Sequence, residues 1–251
     1  MKISWCAPTP RPLIVAHRGS SARAPENTLA AFEQAIDEGA DAIELDVRLS
    51  KDGELIVCHD ATINRCSDGS GKAADLTLRE LKRVSAGAWF GKRFAGERIP
   101  TLGEVLERCG HRISVNIELK AGRFENRSSL PDRCCELIAS HHLRESVLVT
   151  SFHHSFIARL RRIHPDIPAG LLLNPAHLVR RLFRMVRGFY DVDYLVIGGA
   201  SLRKSFVEEA HRHGVKVGEF TVNSRRRMER AYRYALDAVI TNDPLIMRGN
   251  R

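Results

Sequence analysis

The amino-acid sequence predicts an α/β fold, namely a (β/α)₈ TIM barrel with a small insertion after the second barrel strand. Short apolar runs alternate with amphipathic stretches along the 251 residues, which is typical of parallel strands covered by helices. The alternation repeats eight times, counting a short final helix after Pro244, and such a barrel needs eight units. No G-x-G-x-x-G motif follows the first strand, so an open doubly wound sheet is the weaker alternative.

Each element is predicted from its apolar spacing and its end signals. Strands are expected at residues 13–17, 42–47, 114–119, 147–152, 169–173, 194–197, 215–222 and 238–241. Helices are expected at about 27–38, 102–108, 131–142, up to 163, 206–213 and 228–235. Two helix starts have capping-box spacing, Thr77 with Glu80 and Thr101 with Glu104, and three glycines are expected to end helices, Gly39, Gly110 and Gly214.

Two irregularities follow the second strand. Lys51-Asp52-Gly53 separates two strand-like runs by too few residues for a parallel crossover, so the runs must form a hairpin. The returning strand then brings His59 to within a residue or two of Asp46. Residues 60–100 are too many for a strand–helix connection and are expected to form a partly helical insertion that could shape a substrate pocket.

Composition excludes several classes of protein. Hydrophobic residues make up 43% and charged residues 27%, as in ordinary soluble globular proteins, so a disordered chain, a collagen or a coiled coil is excluded. No apolar run approaches the roughly 20 residues that span a bilayer, and the N-terminus does not resemble a signal peptide. The absence of a linker favours one domain over residues 1–251. Six cysteines without a C-x-x-C pair indicate free thiols and a cytoplasmic location.

The net charge of +9 favours anionic partners but cannot choose between phosphate substrates, nucleic acid and a lipid surface. No nucleic-acid-binding motif is present, and aromatic residues are only 6%, so no nucleic-acid partner is expected. The basic segment 178–189 is expected to be either an ordinary outer helix with a solvated flank or a helix that adsorbs weakly to anionic membranes.

Reactive residues of such barrels lie at the C-terminal ends of strands, and this rule selects a consistent set. The first strand ends in His17-Arg18-Gly19, the hairpin ends in His59-Asp60, and a later strand reads Asn116-x-Glu118-x-Lys120. Alternation puts Glu44 and Asp46 on one face of the second strand. Each residue alone could be structural, as a satisfied histidine or an ordinary ion pair, but their joint placement at one barrel mouth favours a functional site.

The residue types indicate phosphate chemistry. Three carboxylates, Glu44, Asp46 and Glu118, without cysteine or histidine at ligand spacing favour a hard cation, Mg²⁺ or Ca²⁺. Such a cation together with Arg18 and Lys120 can neutralise a phosphoryl group, and two histidines can take and give a proton. This set of groups suits the cleavage of a phosphate diester.

These residues lie within longer motifs that follow one another over residues 13–245. The motifs include Val15-Ala16-His17-Arg18-Gly19, Pro25-Glu26-Asn27-Thr28, Glu44-Leu45-Asp46-Val47, His59-Asp60, Asn116-Ile117-Glu118-Leu119-Lys120, Thr221-Val222-Asn223 and Thr241-Asn242-Asp243-Pro244. Together they closely resemble the glycerophosphodiester phosphodiesterase family, and most of all its compact cytosolic bacterial members.

The resemblance implies a role for each matching residue. The catalytic histidines of the family correspond to His17 and His59, its metal-binding carboxylates to Glu44, Asp46 and Glu118, and its phosphate-binding residues to Arg18 and Lys120. It implies hydrolysis of glycerophosphodiesters, such as glycerophosphocholine and glycerophosphoethanolamine, to sn-glycerol 3-phosphate and an alcohol. It also implies attack by the glycerol 2-hydroxyl and a cyclic phosphate, with the acid and base roles of the two histidines left open.

The chain departs from the family near its second half. Phe220 stands where many members have Trp, which keeps an aromatic wall for the substrate pocket. Glu219 precedes it and is expected either near the mouth, where it could alter headgroup preference, or in a pair with a neighbouring Arg. Two other functions stay open, namely a lysophospholipase D acting at the same site and a catalytically silent phosphate- or lipid-binding barrel.

Overall fold

The computed structural model describes residues 2–120, 129–173, 191–198 and 202–246. Within these residues the strands are β1 (Leu13–His17), β2 (Ala42–Leu49), β3 (Leu55–Val57), β4 (Ser114–Leu119), β5 (Val147–Ser151), β6 (Ala169–Leu173), β7 (Tyr194–Gly198), β8 (Lys216–Phe220) and β9 (Ala238–Thr241). The α-helices are α1 (Leu29–Asp37), α2 (Leu78–Leu81), α3 (Leu102–Cys109), α4 (Leu130–Ser140), α5 (His154–Ile163), α6 (Lys204–Arg212) and α7 (Arg225–Arg233). The basic segment 178–189 lies outside the described residues.

Eight parallel strands close into a barrel. The strand order is β1-β9-β8-β7-β6-β5-β4-β2, and β1 also pairs with β2, which completes the ring. Helices follow the strands along the chain and cover the outer face of the barrel, where the largest apolar cluster lies. The predicted (β/α)₈ barrel is therefore confirmed.

The predicted hairpin is also present, with β3 antiparallel to β2. Gly53 in its turn has a φ of +82°, a conformation that favours glycine. The amide of Cys58 donates a hydrogen bond of 2.9 Å to the carbonyl of Asp46, so Cys58 lies opposite Asp46. His59 is the next residue along the returning strand, as expected.

The helix-end signals agree with the sequence at all five positions. Both predicted capping boxes form, at the starts of α2 and α3. Gly39 and Gly214 have φ values of +68° and +73° just after their helices, as helix-ending glycines do. Gly110 ends α3 with an ordinary right-handed φ of −60°.

The inner face of the barrel changes character along its axis. At the end where the strands begin, most inward residues are apolar, and Trp5 closes that end with its ring edge-to-face on Tyr194, the two ring centroids 5.7 Å apart. The indole of Trp5 donates to the carbonyl of Ser146 at 3.1 Å, so its buried polar atom is satisfied. At the other end, where the strands finish, the inward positions are taken by polar and charged side chains.

The insertion between β3 and α3 contains α2, two 3₁₀ turns at Ala73–Asp75 and Lys92–Phe94, and a small core of its own. Glu97 accepts a hydrogen bond of 3.2 Å from the amide of Ala30 in α1, which holds the insertion beside the loop after β1. None of the helices within the described ranges is both long and apolar enough to cross a lipid bilayer.

Candidate active site

The loop after β1 is held in a strained conformation that turns its polar groups towards the barrel. Arg18 has a φ of +56°, unusual for a residue with a side chain, and its amide donates to Glu44 Oε2 at 2.9 Å. Gly19 follows with a φ of +81°, and a Cβ atom there would lie 2.6 Å from Ala31 of α1. The sequence His17-Arg18-Gly19 therefore needs its glycine for this tight approach.

Three carboxylates converge where β2 and β4 end. Glu44 and Asp46 both lie on the inner face of β2, and the parallel register places Glu118 of β4 beside Asp46. One oxygen from each of the three carboxylates lies within 4.8 Å of the others. All three side chains are buried, with Asp46 fully so.

The electrostatics of these three residues show an excess of buried negative charge. Burial and the Asp46 charge raise the pKa of Glu44 well above its ordinary value and that of Glu118 to about 7. Burial alone would raise the pKa of Asp46, but Lys120 and Arg18 hold it well below its ordinary range. Asp46 Oδ1 and Glu118 Oε1 are buried and face the Lys120 ammonium as an ion pair, not as aligned hydrogen bonds. A donor set made only of oxygens, with excess buried negative charge, fits a hard divalent cation.

Two basic side chains border the carboxylates. Lys120 Nζ lies 2.6 Å from Glu118 Oε1 and 3.2 Å from Asp46 Oδ1. Arg18 Nε lies 3.3 Å from Asp46 Oδ2, and Arg18 Nη1 donates to Glu26 Oε1 at 2.7 Å. Asn27, which also has a positive φ, donates from Nδ2 to Asp46 Oδ2 at 2.8 Å. Both cations are thus within reach of an anion that approaches the carboxylate cluster.

The two histidines come from β1 and β3, which pair with the same edge of β2, whereas β4 pairs with its other edge. His17 lies next to Glu44 in the register of β1 with β2. Its Nδ1 is 2.7 Å from Asn242 Oδ1, and because an amide oxygen only accepts, Nδ1 carries the proton and Nε2 remains an acceptor. Burial and the neighbouring Arg18 lower the pKa of His17 to about 4, so it is neutral at pH 7.

His59 has a charged partner instead. Its Nδ1 is 2.6 Å from Asp60 Oδ1, and its carbonyl oxygen accepts from the Nε and Nη2 atoms of Arg48 at 3.0 and 2.8 Å. Burial lowers the pKa of His59 below its ordinary value, and the Lys120 and Arg18 cations add to this effect, although the Asp46 and Asp60 carboxylates oppose it. Of the two imidazoles, His59 is the one whose ring contacts a carboxylate directly, and this contact favours its protonated form.

An aromatic wall lies on the opposite side of the mouth. Phe220, at the end of β8, meets Phe152 edge-to-face with ring centroids 5.9 Å apart. Lys120 Nζ lies 5.9 Å from the centroid of the Phe152 ring, so the wall adjoins the basic side of the site. The Phe152 side chain is 40% exposed and is available to a ligand.

The expectation that Glu219 lies near the mouth is wrong. Glu219 lies on the outer face of β8, fully buried, where Arg227 Nε and Nη2 donate to its Oε1 at 3.1 and 2.5 Å and Arg230 donates to the same oxygen. Alternation explains the difference, because Phe220 faces inwards and its neighbour on the strand must face outwards. The alternative that Glu219 pairs with a neighbouring Arg is confirmed.

Several polar residues of the site had no role in the sequence analysis. Asn242 and Glu26 occur only within the quoted motifs, and Arg65 of the insertion is absent from them. Asn242 comes directly after β9, at the mouth end of a strand, so the rule that selected His17 also applies to it. Arg65 follows no strand and has no comparable signal.

Comparisons with known proteins agree with this geometry. Residues 17–246 match the model of the glycerophosphoryl diester phosphodiesterase family. A glycerophosphodiester phosphodiesterase of Caldanaerobacter subterraneus is 38% identical, with 92% of this chain and 94% of that protein covered. One of Bacillus altitudinis is 35% identical over the same shares of the two chains.

Solved structures give the same answer. A phosphodiesterase of Oleispira antarctica, in complex with its product sn-glycerol 3-phosphate, is 31% identical with a TM-score of 0.85 and covers 95% of this chain and 96% of its own. A glycerophosphodiester phosphodiesterase of Agrobacterium tumefaciens is 29% identical with a TM-score of 0.78, covering 94% and 98%. The chain therefore belongs to the glycerophosphoryl diester phosphodiesterase family and is an enzyme of that kind.

Proposed function

We propose that this enzyme hydrolyses glycerophosphodiesters, such as glycerophosphocholine and glycerophosphoethanolamine, to sn-glycerol 3-phosphate and the free alcohol. The observation that carries the proposal is the meeting of three buried carboxylates, two histidines and two cations at one barrel mouth. The similar Oleispira protein holds sn-glycerol 3-phosphate as its product, which supports the same product here.

Glu44, Asp46 and Glu118 would hold one divalent cation, Mg²⁺ or Ca²⁺. A bound cation of this kind supplies positive charge that stabilises the negative charge developing on the phosphoryl oxygens. Arg18 and Lys120 would bind the remaining phosphoryl oxygens, because both basic side chains already lie against the carboxylate cluster. Phe220 and Phe152 would form the wall against which the rest of the substrate packs.

The hydrogen-bond partners of the two histidines support different roles for them. His17 is neutral and has Nε2 free to accept, so it would remove the proton of the glycerol 2-hydroxyl as that oxygen attacks phosphorus. His59, whose contact with Asp60 favours its protonated form, would give its Nε2 proton to the alcohol oxygen as the bond from phosphorus to that oxygen breaks. The product of this step is a cyclic phosphate.

Water then opens the cyclic phosphate with the roles reversed. His59, now neutral, would take a proton from water as the water oxygen bonds to phosphorus. His17, now protonated, would return its proton to the glycerol 2-oxygen as that bond breaks. Both histidines end in their starting states, and sn-glycerol 3-phosphate leaves.

Two further features complete the proposal. The strands from Leu13 to Thr241 close a single barrel, which supports one domain over residues 1–251. All six cysteines are free thiols, which supports a cytosolic location.

The first experiment measures release of glycerol 3-phosphate from a panel of glycerophosphodiesters with Mg²⁺ or Ca²⁺, before and after chelation. We expect activity that chelation abolishes and that re-addition of the cation restores. His17→Ala and His59→Ala should remain folded but inactive, and near-normal turnover in either variant would contradict the scheme. Substrate binding without any product in the wild type would indicate a silent binding barrel, and preference for lysophosphatidylcholine over glycerophosphocholine would indicate a lysophospholipase D.

A second experiment separates the two histidines with a substrate whose leaving group needs no proton, glycerol 3-(4-nitrophenyl phosphate). In a single turnover, the loss caused by His59→Ala should be much smaller for release of nitrophenolate than for release of choline from glycerophosphocholine, because nitrophenolate leaves without a proton. The loss caused by His17→Ala should be similar with both. The reverse pattern would exchange the two assignments.

A further inference from the structure

Arg65 of the insertion joins two loops that border the active site, the loop after β1 and the segment after β3. Its Nε donates to Asp60 Oδ2 at 2.6 Å, while Nη1 and Nη2 donate to the two oxygens of Glu26 at 2.8 Å each. Asp60 holds His59 through its other oxygen at 2.6 Å, and Glu26 holds Arg18 at 2.7 Å. One continuous chain of hydrogen bonds therefore runs from His59 through Arg65 to Arg18.

The geometry of this chain is specific to a guanidinium. The group binds one carboxylate with a parallel pair of N–H donors and a second carboxylate with its remaining edge, which the single ammonium of a lysine cannot reproduce. Arg65 and the partner hydrogen bonds also hold the pKa of Asp60 down to about 2 and lower the pKa of Glu26, so both partners stay ionised. The Arg65 cation thus balances part of the charge of the two carboxylates and also fixes their orientation.

The bridge joins two segments of the chain. Glu26 belongs to the loop after β1, and Asp60 and Arg65 belong to the segment that follows the hairpin strand β3. Arg18 also contacts Asp46, and His59 follows the residue that pairs with Asp46. Arg65 adds a direct bridge between the two segments, which fixes the imidazole of His59 relative to the guanidinium of Arg18.

We propose that Arg65 is a positioning residue that sets His59 and Arg18 at the distance required for the reaction, acting on His59 through Asp60 and on Arg18 through Glu26. The inference rests on the proposed function of His59 as the acid. Arg65 itself donates only to the two carboxylates, so its contribution passes through them. It also gives the insertion a role in the chemistry of the barrel.

The test compares Arg65→Ala, Arg65→Lys and a matched control, Lys92→Ala. Lys92 lies in the same insertion, is exposed and has no carboxylate partner in the described residues, so its removal changes the net charge equally. We expect Arg65→Ala to lower kcat for glycerophosphocholine by roughly 10- to 100-fold, as loss of a residue that orients a catalytic group typically does. Arg65→Lys should recover little, whereas added guanidinium at low millimolar concentration should restore part of the activity of Arg65→Ala, because the Arg65 side chain is 46% exposed.

Two readouts distinguish positioning from general support of the fold. The loss of activity in Arg65→Ala should be smaller with glycerol 3-(4-nitrophenyl phosphate) than with glycerophosphocholine. This is the same pattern that is expected for His59→Ala. In a His59→Ala background the same substitution should cost less than in the wild type, because only its effect through Glu26 and Arg18 remains. Thermal unfolding of each variant accompanies these assays.

The outcomes separate this inference from the scheme on which it rests. Equal losses with both substrates and in both backgrounds would overturn the positioning role, as would wild-type turnover in Arg65→Ala alongside an inactive His59→Ala. Wild-type turnover in His59→Ala would overturn the catalytic scheme together with the inference. A stable Arg65→Ala with the expected leaving-group dependence would support both.

Discussion

The Nδ1 atom of His17 lies 2.7 Å from Oδ1 of Asn242, although the two residues are 225 positions apart in the chain. The contact forms because β1 and β9 are neighbours where the barrel closes, so His17 and Asn242 leave adjacent strands at the same end. Asn242 is in turn held by Asn223, whose Oδ1 accepts a hydrogen bond of 2.9 Å from the backbone N–H of Asn242. The tautomer of the His17 imidazole is thereby set by the residue that follows the last strand of the barrel.

Asn242→Ala should lower kcat by roughly 10- to 100-fold, since it removes the acceptor that orients His17. Asn242→Asp should keep the hydrogen bond but add negative charge, which raises the pKa of His17 and moves the acidic limb of the pH–rate profile to higher pH. Steady-state kinetics over a range of pH measures both effects. An Asn242→Ala enzyme with wild-type turnover and an unchanged profile would show that His17 needs no such partner.

Cation binding should be coupled to proton release. In the cation-free protein, burial and Asp46 raise the pKa of Glu118 to about 7, and the pKa of Glu44 is raised well above its ordinary value. Glu118 is therefore protonated to a large extent at pH 6 and must lose its proton to bind a cation, and the raised pKa of Glu44 acts in the same direction. The affinity should therefore rise with pH through about 7, by up to about tenfold per pH unit for each proton displaced.

Calorimetric titration with Mg²⁺ or Ca²⁺ in buffers of different ionisation enthalpy counts the protons released. Glu118→Gln cannot release a proton at that position, so it should bind more weakly and with fewer protons displaced near pH 7. An affinity that does not change between pH 6 and pH 8 would mean that the carboxyls are already ionised without the cation.

The sequence allowed the carboxylate cluster to be predicted because local rules place it. Period-two alternation puts Glu44 and Asp46 on one face, and the hairpin turn at Gly53 returns the chain so that His59 follows Asp46. The same alternation, counted from the inward Phe220, would have put Glu219 on the outer face. That prediction failed because position near a strand end was considered without the direction of the side chain.

The contacts that no local rule supplies are those between distant segments. Asn242 reaches His17 only because the ring of strands closes, and Arg65 reaches Glu26 only because the insertion lies beside the loop after β1. An irregular insertion has no period from which side-chain directions follow. Such contacts depend on the packing of the whole fold and appear only when the coordinates are known.

The aromatic wall should influence substrate binding more than the chemical step. Phe152 and Phe220 meet edge-to-face beside Lys120, and neither ring carries a group that can transfer a proton. Phe152→Ala should raise KM by several-fold, since about 1–2 kcal/mol of apolar contact is lost, and leave kcat within about threefold of the wild type. Phe152→Tyr keeps the ring and serves as the matched variant.

Kinetics with substrates of different alcohols measures the role of the wall. If the KM effect of Phe152→Ala varies with the alcohol, then the wall contacts the leaving group. If the effect is the same for every alcohol, then it contacts the glycerol that all the substrates share. A KM equal to that of the wild type with every substrate would exclude contact with the substrate.

Glu219 should matter for stability and not for catalysis. Its side chain is fully buried against Arg227 and Arg230 on the outer face of β8, and these two arginine side chains retain 27% and 19% exposure. Glu219→Gln removes the negative charge that both arginines contact. The free energy of unfolding should fall by about 2 kcal/mol, which is less than for a fully buried ion pair because the arginines are partly solvated. Urea denaturation at neutral pH measures the loss.

Glu229→Gln on α7 is the matched control. Its carboxylate is 57% exposed and pairs with Arg225 at 3.4 Å, so the substitution should cost less than about 0.5 kcal/mol. Below its unfolding temperature Glu219→Gln should keep wild-type kcat and KM, because the side chain points away from the mouth. A changed KM without any loss of stability would instead place this carboxylate in contact with the substrate.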